Sequence, residues 1–180
     1  DPFIRIFQNH GWKIHISCFH DNFNDILEKV SNYCFKNDIS FKFVNSQEVL
    51  QWLLSKNANR SESGKFMTIY PFNKVEFTKI VRELYPLLKK YNGPYILSDK
   101  RYLDSKVIYY RYGIITSKID NNIMKFPEGE LEDKRVPFYI QPKYVNDPLE
   151  ENTPSNLNDS TENILTTNYK DIEAIHFSNG

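Results

Sequence analysis

The sequence predicts an α+β domain, and three observations carry that prediction. Residues 12–17, WKIHIS, alternate apolar and polar with the period of a strand. Residues 21–36 and 74–90 place their apolar side chains at helical spacing. The helical segments fall between the early strands rather than in a block of their own.

In chain order, Trp12, Ile14 and Ile16 of the first strand point one way, and Lys13, His15 and Ser17 the other. A helix follows through Phe23, Ile26, Leu27, Val30 and Tyr33, with Asp21 as its expected N-cap. Phe41–Val44 reads as a second strand, and Val49, Leu50, Leu53 and Leu54 mark a short helix over 47–56. The polar loop 57–64 closes on Gly64 and leads to a third strand over 65–70, stopped by Pro71. The second long helix, 74–90, uses Val75, Phe77, Ile80, Val81, Leu84, Leu87 and Leu88. Pro86 lies within it, removes a backbone donor, and is expected to kink or split it. Asn92-Gly93-Pro94 ends the segment; 107–115 is a Tyr- and Ile-rich strand; 116–150 carries short strands at best. From 150 to about 168 the composition turns polar and acidic, as in a linker, before apolar character returns over 169–180.

The 180 residues suffice for one domain with a sizeable core. Lys+Arg and Asp+Glu both number 23, which argues against a general polyanion binder such as a nucleic-acid-coating protein but leaves room for a local cationic cluster. No apolar run approaches the roughly 18 residues of a membrane span. The start at Asp1, with no Met and no signal peptide, reads as a fragment or processed product. Cys18 and Cys34 form no CxxC pattern and read as two reduced core thiols of a cytoplasmic protein. His10, His15, His20 and His176 lack metal-ligand spacing, so no metal site is expected.

The informative pattern is a set of cations between apolar neighbours. Lys13 and His15 sit among Trp12, Ile14 and Ile16; Lys42 between Phe41 and Phe43; Arg111 between Tyr110 and Tyr112. On strands, these groups face away from the core. Arg60, on the loop before the third strand, and Tyr70, at its end, are placed to line the same hollow. An ordinary solvated strand face carries such residues too. If they converge, the chemistry is that of a phosphate site: Arg is a planar fork and Lys a point charge, and a phosphorylated Ser or Thr carries about −1.5 to −2 charge. Crowded cations favour a neutral lysine, a general base, and a histidinium can serve as general acid. The pair suits β-elimination.

GWKIHIS at 11–17, SGKFMTIYP at 63–71, GPYILSDKRY at 93–102 and YYRYG at 109–113 resemble, in order, the lyase domain of class III and class IV lanthipeptide synthetases, and VPFYIQPKYVNDP at 136–148 is similar to the end of that domain in class III enzymes, which combine lyase, kinase and cyclase domains. A more distant resemblance links the chain to the phosphothreonine lyases of bacterial effector proteins. The resemblance implies a twisted, largely antiparallel sheet with helices on one face and a cationic cleft on the other. It implies a lyase that eliminates phosphate from phosphoserine or phosphothreonine, leaving dehydroalanine or dehydrobutyrine, with no cofactor. It casts Lys42 as general base, with Lys36 as the competing lysine, and His15 as general acid. Lys13, Arg60 and Arg111 would hold phosphate, and Tyr70 would assist. Lys65 of SGKF would either contact phosphate or peptide or simply cap its loop. Asp99, Lys100 and Arg101 are explained equally well by a turn with solvated charges, and Tyr95 reads as core. The implied domains are a lyase over 1–149, a linker over 150–168 and the truncated start of a kinase over 169–180. The implied partners are a precursor peptide, with a leader helix and a phosphorylated core, and the kinase and cyclase domains of the same polypeptide; no nucleic acid or membrane is expected. The alternative within the same resemblance is a non-catalytic module that binds the leader.

Overall fold

The computed structural model describes residues 9–116 and 122–150. The chain divides into two compact units, Asp1–Asn146 and Asp147–Gly180. The expected linker, beyond Glu150, and the expected kinase start lie outside the described residues. In the second unit, Glu150 N–H donates to the Asp147 carbonyl at 3.1 Å.

In the first unit the elements run β1 (His10–Ile16), a 3-10 turn (His20–Asn22), α1 (Phe23–Lys36), β2 (Ser40–Phe43), α2 (Gln47–Leu54), β3 (Met67–Tyr70), α3 (Lys74–Leu88), β4 (Lys100–Arg101), β5 (Ile108–Ile114), β6 (Ile123–Phe126) and β7 (Gly129–Glu132). Five strands form one sheet in the order β2-β3-β1-β5-β4, every pair antiparallel; β6 and β7 form a separate hairpin. The fold is α+β, as the alternation of periods predicts.

Directly paired residues of neighbouring strands share a face. The register sets Ile14 between Ile69 and Tyr110, and Ile16 between Met67 and Ile108. That apolar face receives α3: Trp12 stacks on Phe77 at 5.0 Å between centroids, and Phe77 meets Tyr110 at 5.3 Å. α1 buries Phe23, Ile26, Val30 and Cys34, with Phe23 against Phe66 at 4.7 Å. Burying such side chains stabilises by about 1.5–3 kcal/mol each, so this layer fixes the sheet that carries the opposite face. Both cysteines are free and buried.

Several local expectations are corrected. Asp21 does not cap α1; it lies inside the 3-10 turn, and Asn22 precedes the helix. The Asn22 side-chain oxygen accepts from Phe19 N–H at 3.0 Å, so it too gives α1 no side-chain cap. Pro86 neither splits nor ends α3, which runs unbroken to Leu88. It sits in the last turn, and Arg82, whose carbonyl loses its donor, is exposed and can be solvated there. Val75 and Leu87 are exposed despite their apolar character. Lys100 and Arg101 form an edge strand paired with Tyr110 and Tyr109 rather than a plain turn. α2 and α3 are capped as their sequences dictate: Ser46 Oγ accepts from Val49 N–H, and Asn73 Oδ1 from Glu76 N–H.

Candidate active site: a cationic cleft on the open sheet face

The second sheet face carries the polar half of each alternating strand. Its register makes one row of Lys42, Thr68, His15 and Tyr109 across four strands. Lys13 pairs with Arg111 in the neighbouring row. These rows floor a cleft of about 640 Å³. Lys13, His15, Lys42, Lys65, Tyr70 and Arg111 all line it. Phe43, Val49 and Leu53 give it an apolar wall, so α2 borders the cleft. Arg60 is exposed and lies outside the lining; Arg135 lines the cleft as a second guanidinium. Lys36, the competing lysine, is exposed at the end of α1 and also outside it.

His15 is 4% exposed. Its Nδ1 is hydrogen-bonded to the carboxylate of Asp99. Asp99 is itself buried; its Oδ1 accepts from Ser98 Oγ–H at 2.8 Å and lies 3.9 Å from Lys65 Nζ. Burial would push this carboxyl up, but His15, Lys65 and Ser98 together hold it below the usual carboxylate range. An ionised Asp99 accepts, so Nδ1 carries the proton and Nε2 remains for the cleft. Burial outweighs the pull of Asp99 and holds His15 below the ordinary histidine value. Asp99 was legible only as a turn residue; here it orients the histidine.

Lys13 is buried among like charges. Its Nζ donates to the Ile114 carbonyl at 2.8 Å. Burial, then Arg111, lowers its pKa to about 8; Lys65 and Arg135 add to this, and Asp133 opposes it. Lys65 donates to the Ser61 carbonyl at 2.5 Å. Its pKa is lowered, chiefly by burial and further by Arg111 and Arg135, against Asp99 and Glu62. Lys42, on the edge strand, is exposed. Tyr70 is half-buried at the end of β3.

Arg111 is buried, and its Nη2 donates to the carboxylate of Asp133. The other oxygen of Asp133 accepts from Ile114 N–H at 2.8 Å. Nothing in the run Glu130–Arg135 marks Asp133 as a buried anchor: it is one charge among many, and only the long-range fold sets it against β5. Gly113 permits this approach, since a Cβ there would lie 2.6 Å from Asp133 Oδ2. Tyr95, expected in the core, is 53% exposed; its ring edges against buried Tyr109 at 5.2 Å.

Among the described residues, no group of three or more His, Cys, Asp or Glu is placed to hold a metal ion, and no helix is long and apolar enough to cross a membrane.

Comparison with known proteins places the chain. Residues 4–161 match the family described as RamC, N-terminal domain. Over 178 residues the chain is 38% identical to a protein of Streptomyces coelicolor (strain ATCC BAA-471 / A3(2) / M145) named probable SapB synthase. That alignment covers 94% of this chain and 19% of the relative. The chain belongs to the RamC N-terminal domain family.

Proposed function

We propose that this RamC N-terminal domain is the lyase part of a lanthipeptide synthetase, eliminating phosphate from phosphoserine or phosphothreonine in a precursor peptide. The observation that carries the reading is the convergence of Lys13, His15, Lys42, Lys65, Tyr70 and Arg111 on one cleft. The motif resemblance and the likeness to a protein named as a synthase support it.

In the proposed reaction Lys42, as general base, takes the Cα proton. The electrons form the Cα=Cβ double bond, the Cβ–O bond breaks, and phosphate leaves. His15 delivers a proton to the departing phosphate oxygen. The phosphate's charge of about −1.5 to −2 favours the protonated imidazole, and Asp99 holds the ring. Lys13 and Arg111 hold the phosphate, with Lys65 and Tyr70 of the same lining assisting. Arg60 lies outside the lining, which shifts phosphate binding to these groups. Burial first, and then neighbouring cations, lower Lys13 and Lys65; an entering phosphate would offset both by supplying the opposite charge, so the cost becomes anion affinity. The reading carries with it a cytoplasmic setting, no cofactor, and kinase and cyclase domains in the same polypeptide.

The test is to incubate the full chain with a precursor peptide phosphorylated beforehand and follow product mass. Loss of phosphoric acid is expected, and Lys42→Ala or His15→Ala should abolish it. Phosphate that stays attached while the wild-type protein is folded refutes the lyase; a stable complex with the leader and no turnover would favour the leader-binding module instead.

A further inference from the structure

We propose that Glu62 and Arg135 form a displaceable pair at the cleft mouth, in which Arg135 leaves Glu62 for the substrate's phosphate and supplies the second guanidinium of the site. The inference rests on the reading of the cleft as a phosphopeptide site.

The other buried cations are already committed. Arg111 is bound to buried Asp133, Lys13 donates to the Ile114 carbonyl and Lys65 to the Ser61 carbonyl. Moving any of them strips a partner from a buried polar group, which is costly. Arg135 stands differently. Its Nη1 lies 3.2 Å from Glu62 Oε1, and the two side chains are 51% and 42% exposed. An exposed pair of this kind holds weakly, so its exchange costs little. The replacement is better than the original: a phosphate offers the planar fork more charge and more acceptor oxygens than the carboxylate does.

Position supports the exchange. Both residues line the cleft, and Glu62 is the carboxylate among its described lining residues. Arg135 is near enough to depress the pKa of both Lys13 and Lys65. Two residues earlier, Asp133 is fixed by Arg111 and by Ile114 N–H. The backbone before Arg135 is therefore anchored while its long side chain keeps the freedom to swing. Glu62 thus acts as a stand-in anion: it holds Arg135 at the mouth and competes with phosphate for it.

Steady-state elimination on a phosphorylated precursor peptide, with the full chain, tests this. Arg135→Gln should raise KM about tenfold to a hundredfold and weaken competitive inhibition by inorganic phosphate in parallel. Arg135→Lys should fall between it and wild type. Glu62→Gln should lower KM, and the double variant Glu62→Gln/Arg135→Gln should match Arg135→Gln alone. Thermal melting checks that each variant is folded. A wild-type KM in folded Arg135→Gln, or a Glu62→Gln that raises KM as Arg135→Gln does, overturns the exchange while leaving the lyase standing. A wild-type chain that releases no phosphate overturns the lyase reading, and this inference with it.

Discussion

Lys13→Met makes the strain in the cleft measurable. Lys13 is held at a pKa of about 8 against an ordinary 10.5, first by burial and then by Arg111. The sign follows from proton counting. Between about pH 8 and 10.5 the unfolded chain keeps the lysine proton and the folded chain has lost it, so stability rises with pH through that window. Below it both states are protonated and the whole penalty stands. A shift of this size amounts to about 3 kcal/mol. Methionine has nearly the same length and no charge, so Lys13→Met removes the pH-dependent part. It also removes the donor to the Ile114 carbonyl, an offset of about 1–3 kcal/mol that is the same at every pH. The quantity to read is therefore the difference in unfolding free energy between wild type and variant as a function of pH. Urea denaturation near pH 7 and near pH 10.5 should show wild type gaining about 3 kcal/mol on the variant across the window. Parallel pH profiles would refute the reasoning, because a Lys13 that titrates normally is neither desolvated by burial nor crowded by its neighbours.

Two further outcomes follow from the buried carboxylates. Asp99→Asn should lower kcat for elimination by about a hundredfold or more, with KM less affected, because an amide no longer fixes the imidazole with its Nδ1 proton inward. Fully retained kcat in a folded Asp99→Asn protein would show that His15 needs no such partner. Gly113→Ala should cost about 1–3 kcal/mol of stability and weaken phosphopeptide binding, since its methyl would meet Asp133 Oδ2 at 2.6 Å and dislodge the anchor of Arg111. Melting and KM compared with wild type would check it, and no change in either would mean that Asp133 moves aside without consequence.

What was legible in the sequence is what short periods encode. The alternation in WKIHIS and the helical spacing of Phe77, Ile80, Val81 and Leu84 predict both the elements and the faces that they bury. The same alternation shows which side of each strand bears Lys13, His15, Lys42 and Arg111. It cannot show that β1 lies between β3 and β5, because that pairing joins residues about a hundred positions apart in the chain. The missing information falls where long-range contact decides. Asp99 and Asp133 sit in polar stretches that look solvated, and only burial against His15 and Arg111 makes them part of the site. Arg60 and Arg135 are equally charged on paper, yet tertiary placement puts one outside the cleft and the other at its mouth. Pro86 and Asp21 depart from expectation for local reasons: the proline falls in a last turn, and the aspartate falls one short turn early.

The placement of the acids also reconciles a chain of zero net charge with the proposed phosphate site. The described lining contributes Lys13, Lys42, Lys65, Arg111 and Arg135, with Glu62 as its carboxylate. Asp99 and Asp133 stand directly behind and are bound to His15 and Arg111. Lysines and arginines outnumber the carboxylates in and directly behind this lining, which suits the proposed phosphomonoester. The two buried acids leave the cleft short of a charge that would hold a long polyanion indiscriminately, and they fix the orientation of His15 and Arg111. Removing either carboxylate therefore has two opposed effects: it makes the cleft more positive, which favours anion capture, and it frees His15 or Arg111 to leave its aligned position, which disfavours chemistry. The two carboxylates are accordingly separable by assay: Asp99 acts through His15 and should move turnover, whereas Asp133 acts through Arg111 and should move binding.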